Sequence, residues 1–197
     1  MPADERASSP EAPEESAPVL TPRRPSSPHW QRFYVAIAGI PGLPSLAWRL
    51  VPKRRGVLRQ AMRVVRCAFD YFNRTGSLPA AVFDRDAVTN QAAEVLGTVG
   101  TFRGHEGWLE LMGEVHEAFD TVRLEPVRLV GVPPDRMVVF VRLSARGRGS
   151  GLSVDTPIAI VVTIRRGRAG RLDVYREPAD AVAAVGLPKG TGPPARA

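Results

Sequence analysis

Two stretches in the second half of this 197-residue chain, "DRMVVFVRLSARG" and "TPIAIVVTIRRG", constrain its fold more than any other feature. Side chains on a strand alternate between two faces. Met137, Val139, Val141 and Leu143 therefore share one face, and Val138, Phe140 and Arg142 the other. Both faces are largely apolar, so a sheet built from these strands has to be covered on both sides. Helices are expected on one side and a partner subunit, as a homodimer, on the other. "TVRLEPVRLV" alternates around a break at Pro126, which marks a bulge or an edge. "GRLDVYRE" follows the central strands through the Gly-flanked turn "RRGRAGR".

Upstream the period changes. Leu58, Ala61, Met62, Val65, Ala68, Phe69 and Phe72 recur at three- and four-residue steps, the apolar stripe of an amphipathic helix that ends between Asn73 and Gly76. A second stripe, Trp108, Leu111, Met112, Val115 and Phe119, predicts a helix from Gly104 to Asp120. Between them "DRDAVTNQA" reads as a short strand entered through an Asp-rich turn. "PADAVAAVGL" reads as a closing helical turn, with Pro178 near its first position and Gly186 past its end. Helix, strand, helix and then four consecutive strands argue for an α+β fold with a curved antiparallel sheet, not a parallel doubly wound one.

Composition sets the outer bounds. With 44% hydrophobic and 24% charged residues the chain can bury a core, which excludes a wholly disordered protein. The reading divides it into a disordered Pro/Ser/Glu-rich tail (1–28), an apolar and basic extension of poor structure (29–55), one domain (56–187) and a mobile tail (188–197). The apolar run Phe33–Trp48 is broken by Pro41, Gly42 and Pro44, so it falls short of the roughly 20 residues a spanning helix needs. It also lies too far from Met1 for an ordinary signal peptide, and a misplaced start codon would account for the extension. The single Cys67 rules out internal disulfides and multi-cysteine zinc patterns, which makes the cytoplasm the expected compartment. The net charge of +7 is carried almost wholly by arginine. The run from Arg49 to Arg66 raises nucleic acid or acidic lipid as a partner, but no stacking aromatics are interleaved with it, which favours a solvated helix face.

"AFDYFNRTGSLPAAVFDRDAV", "FRGHEGW", "VRLSARGRGSGLSV" and "VYREPADAVAAVGL" occur in an order and spacing that resembles the SnoaL-like, polyketide cyclase-like branch of the nuclear transport factor 2-like superfamily. The resemblance runs from Gly56 to Leu187. It implies a cone-shaped α+β fold in which a bent antiparallel sheet wraps helices around a central pocket, with a sheet-to-sheet homodimer and a small hydrophobic ligand. Three positions depart from the family pattern: Ser77 and Glu177 stand where the family usually has Asp, and Arg85 interrupts the usual Asp-Pro-Asp.

Several site chemistries can be weighed on the residues. A zinc helix would need a second histidine four residues after His105, where Leu109 stands, and His116 is about three turns away. Glu106 in a first helical turn, beside the positive end of the helix dipole, instead makes "HEGWL" a helix start. Ser150 lacks the flanking pattern of a nucleophile elbow. No cofactor or metal is expected. Carrying over the ketosteroid isomerase machinery of the same superfamily places its Tyr at Phe69, its first Asp at about Gln91 and its second near Pro157, none able to move a proton. The Asp-Arg-Asp set of limonene-epoxide-hydrolase-like relatives could be drawn from Arg142, Asp155 and Asp173. For a polar cavity there remain Asn90, His105, Arg142 and Thr163 as pocket residues, with Asp173 as general base and Tyr175 beside it. Asp173 can equally be a solvent-facing residue at a strand end. Two functions follow: a pocket that binds a small hydrophobic molecule, with or without acid/base isomerase, cyclase or hydrolase chemistry, or a non-catalytic dimeric module whose basic extension docks an anionic partner.

Overall fold

The computed structural model describes residues 19–20 and 55–193. The apolar run Phe33–Trp48 and the basic residues Arg49, Lys53 and Arg54 lie outside the described residues. The elements in chain order are β1 (Val19–Leu20), α1 (Arg55–Thr75), a 3-10 turn (Ala80–Val82), β2 (Phe83–Val95), β3 (Thr98–Arg103), α2 (Gly104–Ala118), β4 (Phe119–Val132), β5 (Arg136–Gly147), β6 (Ser153–Arg165), β7 (Arg168–Tyr175) and α3 (Pro178–Ala184). The strands form one sheet in the order β1-β4-β5-β6-β7-β2-β3.

Both helices and all four C-terminal strands stand where the periodicities place them. Three features differ from the expectation. The chain from Thr98 to Arg103 forms β3, paired antiparallel with β2, although "TVGTFR" is short and interrupted by Gly100. The sheet is not antiparallel throughout, because β2 runs parallel to β7. Parallel neighbours need a long crossover, and the whole stretch from β3 to β6 serves as one here. Within the tail read as disordered, Val19–Leu20 pairs with Val130 and Leu129 at the edge of β4.

Two apolar layers hold the sheet. On the inner face Met137, Val139, Val141 and Leu143 of β5 and Ile158, Ile160 and Val162 of β6 pack against Met62, Val65, Phe69 and Phe72 of α1 and Trp108, Leu111 and Val115 of α2. On the outer face Val130, Val132, Val138, Phe140, Ala159 and Val161 are covered by Ala181, Val182 and Val185. The chain's own C-terminal segment thus supplies cover at these residues. Arg128 extends the attachment by donating to the carbonyl of Gly192 at 2.9 Å, which ties down part of the tail read as mobile.

The end of α1 is bonded to the sheet as well as packed on it. Asn73 Nδ2 donates to the Leu124 carbonyl at 2.7 Å, and the Leu124 N–H donates back to Asn73 Oδ1 at 2.8 Å. One side chain therefore replaces a neighbouring strand on β4, just before the register shift at Pro126–Arg128. At the other helix, Gly107 lets the first turn of α2 lie on β3: a Cβ there would come 3.0 Å from the Phe102 carbonyl carbon and 3.1 Å from its Cβ. "HEGWL" is thus a helix start shaped by a close approach.

Two substitutions test this account. Asn73→Ala leaves both Leu124 backbone groups without their partner and is expected to cost about 1–3 kcal/mol in urea unfolding. Gly107→Ala gains about 1 kcal/mol of helix propensity but overlaps backbone that cannot yield, a cost of about 1–3 kcal/mol, so a net loss is expected in the same assay.

Candidate functional site

The helices do not fill the space over the inner face. Between α1, α2 and strands β2 and β4 to β7 lies a cavity of about 70 Å³. That holds on the order of five water molecules, the scale of a single-ring organic molecule. Its wall includes Phe69, Phe72, Trp108, Leu111, Ile160 and Val174, and among the described residues Thr89 and Gln91 bring a hydroxyl and a carboxamide to it. Rigid rings keep it open: Trp108 meets Phe72 edge-on at 6.4 Å and Phe83 at 5.4 Å. The Trp108 Nε1–H reaches Ser77 Oγ at 3.4 Å.

Both polar groups come from β2, whose alternation turns Thr89 and Gln91 inward and Asn90 outward. Thr89 is 3% exposed. Among the described residues its hydroxyl has no hydrogen-bonding partner. Gln91 is 6% exposed; in the amide orientation that its surroundings favour, its nitrogen donates to the carbonyls of Val95 at 3.1 Å and Thr98 at 3.2 Å, across the irregular register that follows Gln91 in β2.

None of Asn90, His105, Arg142, Thr163, Asp173 and Tyr175 lines this cavity. The reason is strand parity: Leu172 and Val174 point inward, so Asp173 and Tyr175 lie on the outer face. There Asp173 accepts from Arg171 Nε at 2.8 and 2.9 Å and from Asn90 Nδ2 at 3.3 Å, while Asn90 Oδ1 accepts from Thr101 at 3.1 Å. Thr163 is the cross-strand partner of Arg171 beside this row. Burial, and then the nearby Asp173 charge, push the Tyr175 hydroxyl above its usual pKa, so at neutral pH it is a neutral phenol.

Arg142 is engaged separately. It pairs with Asp155 through Nε, at 2.8 and 3.1 Å, and through Nη2. The hydrogen bond and then the charge of Asp155 raise the guanidinium pKa. Asp173 lies level with Val161 and Val138, four residues along β5 from Arg142, so the Asp-Arg-Asp set is not gathered at one point.

His105 sits at the start of α2, its ring 6.1 Å from that of Phe83, on an open cleft that carries both signs of charge in Asp84, Arg85, Asp86, Arg103, Glu106 and Arg168. Cys67 is half-buried in α1. Among the described residues there is no group of three or more His, Cys, Asp or Glu able to hold a metal ion, and no helix long and apolar enough to cross a membrane.

Two of the positions carried over from the isomerases, Phe69 and Gln91, do line the cavity. Thr89 was missed, although the alternation in "VTNQ" marks it as sharing a face with Gln91.

No family model and no curated protein sequence matches the chain. Solved structures do. Bal32a, from a soil-derived mobile gene cassette, superposes with a TM-score of 0.52 at 19% identity over 60% of this chain and 90% of its own. A protein of Jannaschia sp. CCS1, assigned as a SnoaL-like polyketide cyclase, gives 0.51 at 17% over 70% and 99%. TerC, co-crystallised with polyporic acid, gives 0.51 at 19% over 66% and 97%. At such identities the likeness is one of architecture, and the chain has the cone-shaped α+β fold of the nuclear transport factor 2-like proteins.

Proposed function

We propose that this chain is a SnoaL-like binding protein that holds a small, uncharged hydrophobic molecule in the cavity between its helices and the inner face of its sheet. The lining carries this reading: among the described residues it is apolar apart from Thr89 and Gln91, and they include no carboxylate, imidazole, amine, guanidinium, thiol or phenol. General acid/base catalysis needs a titratable group within hydrogen-bond reach of the proton it moves, directly or through one water. The carboxylate and phenol that would do this work, Asp173 and Tyr175, lie on the opposite face, with Asp173 engaged by Arg171 and Asn90. In this reading their role is to hold β2 and β7 in register.

Thermal denaturation of the full chain against single-ring aromatic and terpenoid molecules tests the proposal. A bound ligand raises the melting temperature by mass action. Val174→Phe, which fills the cavity, is expected to abolish the rise, whereas Asp173→Asn is expected to leave it unchanged. Loss of the rise in Asp173→Asn with its retention in Val174→Phe would return the site to the outer face.

A further inference from the structure

We propose that the ligand is a neutral molecule of single-ring size carrying one hydroxyl, and that this hydroxyl docks between Thr89 Oγ1 and Gln91 Oε1. The inference rests on the cavity being a ligand site and specifies what that site selects. Thr89 places a hydroxyl in a wall otherwise built to exclude water, at 3% exposure and without a partner among the described residues. Buried hydroxyls are ordinarily hydrogen-bonded, and valine would occupy this position without the desolvation cost. A ligand group supplies the missing partner.

Gln91 narrows the chemistry. A carboxamide has two N–H donors, and both are turned toward the carbonyls of Val95 and Thr98. Among the described residues its oxygen has no donor, so it is the atom that remains for a ligand, as an acceptor. Two residues apart on one strand face, the side chains of Thr89 and Gln91 start about 6.6 Å from each other, which leaves room for one oxygen between them. A hydroxyl fits both: it donates to Gln91 Oε1 and accepts from Thr89 Oγ1. A ketone or ether cannot donate to Gln91. A carboxylate would meet no cation among the described lining residues and would have to shed its hydration uncompensated.

Calorimetric titration of the full chain with toluene, p-cresol and p-toluate separates these cases. The wild type is expected to bind p-cresol about tenfold more tightly than toluene, a typical effect of one or two neutral hydrogen bonds, and not to bind p-toluate. Thr89→Val, which leaves only the bond to Gln91 Oε1, is expected to reduce the p-cresol preference severalfold while leaving toluene unchanged, which also shows that the variant is folded. Equal affinity of the wild type for p-cresol and toluene, or a p-cresol preference that Thr89→Val leaves undiminished, overturns the hydroxyl assignment and leaves the apolar cavity standing. Binding of p-toluate in preference to p-cresol overturns the neutral class. Failure of both toluene and p-cresol to bind overturns the cavity reading and this inference together.

Discussion

Strands β5 and β6 bury apolar side chains on both faces, and the rest of the structure is arranged around that demand. Inside, α1 and α2 cover Met137, Val139, Val141 and Leu143; outside, α3 covers Val138 and Phe140. Each fully buried aliphatic or aromatic side chain is worth about 1.5–3 kcal/mol, far more than the exposed ion pair Arg123–Glu125, worth about 0–1 kcal/mol. Polar contacts therefore act mainly as locators. Asn73 sets where α1 ends on β4, and the Asn90–Asp173 bond sits on the one parallel pairing in the sheet.

The inner layer is incomplete. Rigid rings from Phe72, Phe83 and Trp108 cannot collapse into the gap as aliphatic chains would. Leu96 adds to this. It occupies the first position of the tight turn between β2 and β3 at φ 59, where Asn, Asp or Gly is the usual choice, and its side chain contributes to the cavity wall. Local backbone cost is accepted there for a side chain that faces the cavity.

Much of the architecture was legible because it rests on period. The stripes of α1 and α2 and the two-faced pattern of β5 and β6 require only counting, and the order of elements then restricts the topology. What failed was of two kinds. β3 carries a weak signal, with Gly100 breaking a six-residue run, and it exists because β2 offers it a partner. The parallel β2–β7 pairing joins residues more than eighty positions apart, which no local pattern encodes. The candidate residues fall outside the cavity for a different reason. Asp173 and Tyr175 were weighed as chemistry, yet they alternate with Leu172 and Val174, and the apolar pair claims the interior. The same alternation in β2 hides Thr89 and Gln91 on either side of the more conspicuous Asn90. Parity, more than residue type, decides which side of this sheet a functional group reaches.

The β2–β7 pairing also sets an order of events for the nascent chain. While α1, β2, β3 and α2 emerge, β2 has only β3 to bond with, and its other edge stays open until β7 has been synthesised. A hairpin of two strands is marginal in water, so the first half of the domain cannot lock as a unit of its own. The cavity, whose walls come from β2 as well as β6 and β7, is therefore among the last features to form. Pairings of such long sequence separation are slow to close and expose strand edges meanwhile. For this protein the hazard falls on the open edge of β2 during translation, and a chaperone that shields strand edges would act on the unfinished chain more than on the completed one.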